Sequence, residues 1–172
     1  MTLATTTPPA TASLHRTDAR ASLRTWLRLL TCTNLIEREI RAQLRDQFDT
    51  TLPRFDVLAQ LDAAARDANP GLTMSELSRR LMVTNGNLTS LIGRLVDEGA
   101  VKRDTSPTDR RTQIVRLTAS GRRSLDTMIP EHQQWIDSLF GELTTDDRRR
   151  LYELLGKLRT SVQNALAHPG DK

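Results

Sequence analysis

The sequence contains few of the residues that build disulfides, metal centres and catalytic sites. Its 172 residues include one cysteine, Cys32, so no intrachain disulfide can form, and this fits a reducing compartment. The three histidines show no spacing with cysteine or acidic residues that suggests a metal site, and no glycine-rich phosphate loop is present. We therefore expect a protein that is not an enzyme and that holds no metal and no cofactor.

Long apolar runs and aromatic residues are also scarce. No apolar run approaches the roughly 18 residues that a membrane span needs, and the N-terminus lacks the charged region and apolar core of a secretory signal. We therefore expect a cytoplasmic protein with no membrane partner. Aromatic residues make up 3% of the chain, so its core must consist mainly of aliphatic side chains. Abundant leucine with modest glycine and proline favours helices over a β-sandwich.

The positive charge is concentrated in one short segment. The net charge is +4, yet Val101 to Arg123 alone contains seven basic and two acidic residues, and the rest of the chain is close to neutral. A local basic patch on a balanced body is typical of a surface that binds a polyanion. On charge alone, a solvated surface with no partner explains the pattern better.

Composition and apolar periodicity divide the chain into four segments. Residues 1–18, rich in threonine, alanine and proline, are expected to form a disordered tail. Residues 19–52 carry a long amphipathic helix that ends near Phe48. Residues 122–168 carry two more amphipathic helices, the first with a proline that should kink it. The middle segment cannot cover the apolar stripes at both ends, so we expect dimerisation helices; a monomeric helical hairpin is the alternative.

The middle segment, residues 53–121, has the element order of a winged helix-turn-helix DNA-binding domain. After a first helix, two short amphipathic helices begin at a Thr73–Glu76 capping box and at the candidate N-cap Thr84, and Gly99 ends the second of them. Alternating residues then predict a β-hairpin, followed by a helix that Thr118 caps. We therefore expect a mainly α fold with an α+β wing between long terminal helices. The predicted strands are Val101–Asp104 and Gln113–Leu117.

The helix that follows Thr84 has the residues of a DNA-reading helix. Leu88, Leu91, Ile92 and Leu95 mark its buried side, and Ser90 and Arg94 lie opposite, flanked by Asn87 and Thr89. Asparagine can pair with adenine, and serine or threonine can bond to either base type. Two glycines, Gly86 and Gly93, cost up to ~1 kcal/mol each relative to alanine. A bare surface that lets DNA approach closely explains that cost; a loose surface helix is the alternative.

The hairpin loop and its surroundings supply the cations. Arg110 and Arg111 at the loop can enter a minor groove, where narrow A·T tracts concentrate negative potential. Asp109 is expected to orient one of them through a side-chain pair. Phosphate contacts, which give affinity without sequence information, are expected from neighbouring basic residues. These are Arg79, Arg80, Lys102 and Arg103.

The run from Leu72 to Gly121 resembles the MarR family of bacterial transcription regulators. The resemblance lies in LTMSELSRRL, VTNGNLTSLIGRLVDEGAVKR and the wing SPTDRRTQIVRLTASG, and it extends over Ala19 to Ala167. It implies a triangular homodimer on a palindromic operator in double-stranded DNA, with a wing arginine in the minor groove. The opening TNGN resembles a subgroup that regulates aromatic-acid degradation, some members of which respond to hydroxycinnamoyl-CoA thioesters. Carried over, the DNA-binding roles fall on Asn85, Asn87, Thr89, Ser90, Arg94, Arg110 and Arg111.

The resemblance also implies an effector site between the dimer helices and the DNA-binding lobe. Aromatic walls with one arginine suit an aromatic carboxylate or its CoA thioester. Each candidate residue can equally be part of the core or of the dimer interface. The candidates are Trp26, Leu30, Arg54, Phe55, His132 and Trp135.

Cys32 offers a second means of control. One branch of the family senses peroxide with an early-helix cysteine and nearby tyrosines, but Tyr152, the one tyrosine here, is far away in the sequence. We therefore expect a buried structural cysteine. The resulting prediction is a ligand-responsive repressor released by a small aromatic effector. The alternatives are a redox-responsive regulator acting through Cys32, a non-specific architectural DNA-binding protein and a helical interaction module.

Overall fold

The protein is mainly helical, with one small antiparallel sheet. The computed structural model describes the backbone of residues 11–67, 71–106, 109 and 112–167, with side chains from Arg20 onward. The chain divides into two compact units, residues 1–57 and 58–172. Its elements are α1 (Thr11–Phe48), α2 (Leu52–Arg66), β1 (Leu72–Thr73), α3 (Met74–Leu81), α4 (Asn85–Asp97), β2 (Val101–Thr105), β3 (Gln113–Leu117), α5 (Ala119–Leu139) and α6 (Thr145–Ala167).

The first unit consists of α1 and the start of α2. Helix α1 begins at Thr11, eight residues before the predicted start at Ala19. The expected tail is therefore helical from Thr11 onward, because no proline or glycine interrupts the chain between Pro9 and Pro53 and alanine favours helix there. Residues 1–10 lie outside the described part of the chain. The predicted end at Phe48 is confirmed: the next residue adopts a left-handed φ of 47°, as helix-terminating residues commonly do.

Asp56, in the first turns of α2, has a raised pKa. Its pKa is raised from 3.8 to about 6: burial is the largest cause, the nearby Glu37 carboxylate adds to it, and the Arg41 guanidinium opposes both. Arg41 and Glu37 form an ion pair of their own at 2.7 Å. At neutral pH the Asp56 carboxyl is mostly ionised, although its burial favours the protonated form.

Helix α3 begins as the sequence predicts. The Thr73 hydroxyl accepts a hydrogen bond from the Glu76 N–H (3.2 Å), and the Glu76 carboxylate accepts one from the Thr73 N–H (2.8 Å), which completes the capping box. The hydrogen bonds that the Glu76 carboxylate accepts from the Thr73 N–H and from the Thr73 hydroxyl (2.8 Å) lower the pKa of Glu76. The turn that follows contains Met82, a non-glycine residue with a left-handed φ of 54° and a side chain that is 93% exposed.

The sheet has the strand order β1-β3-β2, with both pairs antiparallel. Strands β2 and β3 confirm the predicted hairpin, and β1 is a short strand that the sequence did not indicate. Helix α4 packs on β2, and α3 packs on α4, β1 and β3. The core of this unit is aliphatic and includes Leu72, Leu77, Leu88, Ile92, Leu95, Val101, Val115 and Leu125, all at most 2% exposed.

Helices α5 and α6 also have threonine caps. The Thr118 hydroxyl accepts the Gly121 N–H at the start of α5, and Thr144 and Asp147 form a reciprocal box at the start of α6. Helix α5 continues through Pro130 to Leu139, so the proline does not end it. The kink stays a prediction. No described residue of α6 is buried. Within the described ranges, no helix combines the length and the apolar character needed to cross a bilayer.

Candidate DNA-binding surface

Helix α4 presents a polar face to solvent. Leu88, Ile92 and Leu95 are at most 1% exposed and fix the orientation of the helix against its neighbours. Because 3.6 residues complete one turn, burial of these positions leaves the opposite side of the helix uncovered. The predicted contacts Asn85, Asn87, Thr89, Ser90 and Arg94 are all exposed.

The N-terminal end of α4 is suited to an anion. Thr84 is its N-cap residue, as predicted, but its side chain makes no capping hydrogen bond. The first-turn N–H groups therefore point outward without a capping acceptor from Thr84, at the positive end of the helix dipole. Within the turn, the Thr89 hydroxyl donates to the Asn85 carbonyl at 2.8 Å. Its proton is thus committed, and its oxygen is left to accept a hydrogen bond from a base amino group.

The two glycines of α4 have no steric role in the described part of the chain. A methyl group built on Gly86 or Gly93 meets no atom within 4 Å. By contrast, one on Gly71 comes within 2.8 Å of the Val115 carbonyl oxygen, so that glycine is required for packing against β3. Packing therefore gives no reason for glycine on α4.

The cations predicted to bind phosphate differ in their surroundings. Arg79 and Arg80 are exposed in the last turn of α3, as a phosphate contact requires. Lys102 and Arg103 follow each other on β2, so their side chains point to opposite faces of the hairpin. The phosphate contacts of these residues stay a prediction.

Lys102 and Arg103 also have partners within the chain. The Asp104 carboxylate lies 3.1 Å from the Lys102 ammonium and 3.0 Å from the Arg116 guanidinium, and so compensates both cations on one face of the hairpin. On the other face, the Arg103 guanidinium donates to the Thr89 carbonyl of α4 at 3.4 Å. Arg103 therefore links the wing to α4.

The tip of the wing is only partly described. Arg110 and Arg111, the predicted minor-groove residues, lie outside the described residues. The Thr112 hydroxyl donates to the Asp109 carboxylate at 2.8 Å, and the Ser106 N–H donates to the Thr112 carbonyl at 2.8 Å. These bonds close the loop at its base. The proposed role of Asp109 in orienting an arginine stays a prediction.

The six effector-site candidates belong to both units. In the first unit, Trp26 and Leu30 are exposed on α1, whereas Phe55 is 7% exposed and is part of the core. Arg54 is partly buried on α2. In the second unit, His132 and Trp135 form an edge-to-face pair on α5, with ring centroids 6.2 Å apart. Burial lowers the pKa of His132, which keeps its imidazole neutral at pH 7. The shared site stays a prediction.

Cys32 is exposed on α1. The expectation of a buried structural cysteine is wrong, because residues 20–28 and 30–35 of α1 are exposed in the single chain. Periodicity indicated an apolar stripe there but not whether anything in the same chain covers it.

Comparisons with known proteins agree with this geometry. The model of the MarR family matches residues 48–112. An uncharacterized HTH-type transcriptional regulator of Bacillus cereus is 33% identical over 134 residues, which are 77% of this chain and 85% of that protein. The chain belongs to the MarR family. It is a DNA-binding regulator of transcription, and the relatives it matches are described as regulators, not as enzymes.

Three other proteins that are similar to this chain are described with different roles. The transcriptional activatory protein BadR of Rhodopseudomonas palustris is 30% identical over 155 residues, which are 88% of this chain and 87% of BadR. A cysteine-to-serine mutant of E. coli MarR, solved with operator DNA, is 29% identical with a TM-score of 0.69, over 80% of this chain and 95% of that one. BpsR of Bordetella bronchiseptica, whose DNA binding is regulated by 6-hydroxynicotinic acid, shares the fold at 24% identity and a TM-score of 0.67, over 79% of this chain and 98% of that one.

Sequence reasoning missed two polar links in the second unit. The carboxylate of Asp62 on α2 is 3% exposed and forms ion pairs with Arg66 and with Arg122 of α5. Asp104 compensates two wing cations. The Lys102–Asp104 spacing on a predicted strand was a usable signal, because residues two apart share a face. The Asp62–Arg122 pair joins residues 60 positions apart and had no local signal.

Proposed function

We propose that this MarR-family protein is a ligand-responsive repressor. It binds a palindromic operator as a homodimer and leaves it when a small aromatic acid, or the CoA thioester of one, binds. The observation that carries the proposal is the presence, in a single chain, of uncovered apolar faces on both terminal helices together with an outward-facing polar α4.

The apolar faces support the homodimer. Leu23, Leu27 and Leu30 on α1 are between 39% and 56% exposed. Leu155, Leu158 and Val162 on α6 are between 41% and 48% exposed. Full burial of such a side chain stabilises by about 1.5–3 kcal/mol, so covering half of each of six is a large driving force. A second copy presents the same faces, and a twofold axis lets both chains bury them at once.

A twofold dimer accounts for a palindromic operator. Each α4 then enters one major groove, and the two half-site centres lie about 34–36 Å apart on one side of the duplex. Asn85, Asn87 and Ser90 supply donors and acceptors near the N-terminal end of the helix, where base contacts are made. The exposed arginines of α3 supply phosphate contacts.

The effector class rests on side-chain chemistry in both units. Trp26 offers an exposed aromatic surface on α1, and the His132–Trp135 pair offers a second on α5. A neutral His132 can donate or accept a hydrogen bond, and it neither repels a charged group nor needs one as a partner. An arginine such as Arg54 suits a carboxylate. The response of BpsR to an aromatic acid adds support from within the fold.

Selection from a random pool of duplexes tests the proposal. The wild-type protein should enrich an inverted repeat, and hydroxyl-radical footprinting should show two protected patches about 34–36 Å apart. Light scattering should report a dimer. Failure to enrich any sequence points to an architectural DNA-binding protein, and a monomer at micromolar concentration removes the palindrome.

A screen and a reporter test the response. Aromatic acids and their CoA thioesters are screened by thermal shift, and each hit is then tested for release of the selected duplex. A ligand releases DNA only if it binds the two states of the protein with different affinity. A reporter behind the selected operator should be silenced by the protein and restored by the hit. The opposite response indicates an activator, the role described for BadR.

The exposed thiol favours a second candidate, control by oxidation. Cys32 is accessible on α1, so an oxidant can reach it. If peroxide weakens binding of the selected duplex and Cys32→Ser abolishes this effect, the regulator responds to oxidation. If peroxide changes nothing, the small-molecule effector stands alone.

A further inference from the structure

The C-terminal end of the DNA-reading helix is held by the residue that starts α5. After α4 the chain turns through Gly99, which has a φ of 70°, and continues into β2. The carbonyl oxygens of Gly99 and Ala100 meet Thr118 at this turn. The Thr118 hydroxyl lies 2.7 Å from the Gly99 oxygen and 3.0 Å from the Ala100 oxygen, and the Thr118 N–H donates to the Ala100 oxygen at 3.1 Å.

One hydroxyl thus serves two helices. It accepts the Gly121 N–H at 3.0 Å, which caps α5, and it donates its single proton to the turn that ends α4. Capping α5 needs only an acceptor, whereas holding the end of α4 needs a donor. The two roles can therefore be separated by chemistry.

Close backbone packing reinforces the junction. A methyl group on Gly121 falls 2.0 Å from the Ala100 oxygen, so this approach of α5 to the end of α4 requires glycine. The next residue, Arg122, forms an ion pair with the buried carboxylate of Asp62 on α2. The start of α5 is therefore fixed both to α2 and to the end of the DNA-reading helix.

We propose that Thr118 is a positioning residue for DNA recognition, which sets the angle of α4 although it lies at the end remote from the bases. The 13 residues of α4 span about 18–20 Å at 1.5 Å per residue. A tilt of about 3° at the C-terminal end then moves the N-terminal end by about 1 Å. Such a shift takes a base hydrogen bond from about 2.9 Å beyond its useful range. This inference requires only that α4 binds DNA, whatever the effector or the oligomeric state.

Thr118→Asp separates the two roles. Aspartate is a good N-cap and keeps α5 capped, but an ionised carboxylate has no proton to donate to the Gly99 carbonyl. Thr144→Asp is the control for the added charge in the DNA-binding comparison, because Thr144 caps α6 and, within the described chain, makes no bond to α4 or to its C-terminal turn. Its hydroxyl also donates to the Asp147 carboxylate, so this variant is not used to compare stability. Thr118→Ser keeps both a donor and an acceptor and should behave as the wild type.

The readout is the ratio of affinities for the duplex that the wild type selects and for a scrambled duplex of the same composition. Thr118→Asp should lower this ratio at least tenfold and leave binding of the scrambled duplex within about twofold of the Thr144→Asp value. Thr118→Ser should retain the wild-type ratio. An unchanged ratio in Thr118→Asp overturns the inference, as does an equal fall in Thr144→Asp. Equal helix content of Thr118→Asp and Thr118→Ser, measured by circular dichroism, would confirm that α5 stays capped.

Discussion

Replacing Gly93 by alanine should stabilise the protein and weaken its binding to DNA. Gly93 lies within α4, where alanine is favoured over glycine by about 1 kcal/mol. A methyl group there meets no atom of the described chain within 4 Å, so no steric cost offsets the gain. For a chain of this size, 1 kcal/mol corresponds to a rise of about 2–4 °C in melting temperature.

Although Gly93→Ala should stabilise the protein, it should weaken binding to DNA. If the bare surface at Gly93 lets α4 approach the bases, the added methyl group must displace the duplex or the helix. Such overpacking costs about 1–3 kcal/mol, which corresponds to a loss of roughly 5- to 150-fold in affinity. Fluorescence anisotropy with the duplex selected by the wild type measures this loss, and thermal unfolding without DNA measures the gain.

Gly156→Ala provides the matched control. Gly156 lies within α6, and a methyl group there also meets nothing within 4 Å. It should raise the melting temperature similarly and leave DNA affinity unchanged. If Gly93→Ala is stabilised and binds the duplex as tightly as the wild type, close approach is not the reason for this glycine.

Substitutions at three further positions test other parts of the protein. Arg103→Gln should lower the ratio of the affinities for the selected and the scrambled duplex and leave the salt dependence of binding unchanged, because Arg103 contacts Thr89. If the slope of log affinity against log salt concentration falls by about one unit, Arg103 binds a phosphate instead. Asp56→Asn should raise the melting temperature at pH 7.5 and much less at pH 4. Because the pKa of Asp56 is raised to about 6, the stability of the wild type falls as pH rises from about 4 to 6. A difference in melting temperature between variant and wild type that does not depend on pH would contradict this. Met82→Val should lower the melting temperature and Met82→Gly should not, because glycine tolerates the left-handed φ of 54° and a β-branched residue does not. A higher melting temperature for Met82→Val than for Met82→Gly would exclude backbone strain at this turn.

The helix-turn-helix was predictable because its signals are local. The Thr73–Glu76 box and Gly99 each act within a few residues of themselves, so the sequence indicates where α3 begins and where α4 ends. The same holds for the exposed face of α4, since four regularly spaced aliphatic residues determine which side is buried. Strand β1 had no such signal: its two residues become a strand only through pairing with β3, about 40 positions away.

Side-chain partners were harder to predict than exposure. The sequence indicated correctly that Lys102 and Arg103 are exposed, but it did not show that Asp104 and the Thr89 carbonyl bind them. These contacts depend on the register of the hairpin and on the packing of α4 against β2. The exposure of Cys32 was mispredicted for a related reason, since a stripe on α1 does not show what covers it.

The claim that the exposed face of α4 reads the bases is tested most directly by Asn87→Ala. Asn87 is exposed in the first turn of the helix, where a bidentate pair with adenine contributes about 1–3 kcal/mol of discrimination. The affinity ratio between the selected and the scrambled duplex should therefore fall roughly 5- to 150-fold, with the salt dependence unchanged. A wild-type ratio in Asn87→Ala would contradict the assignment of this face to base recognition.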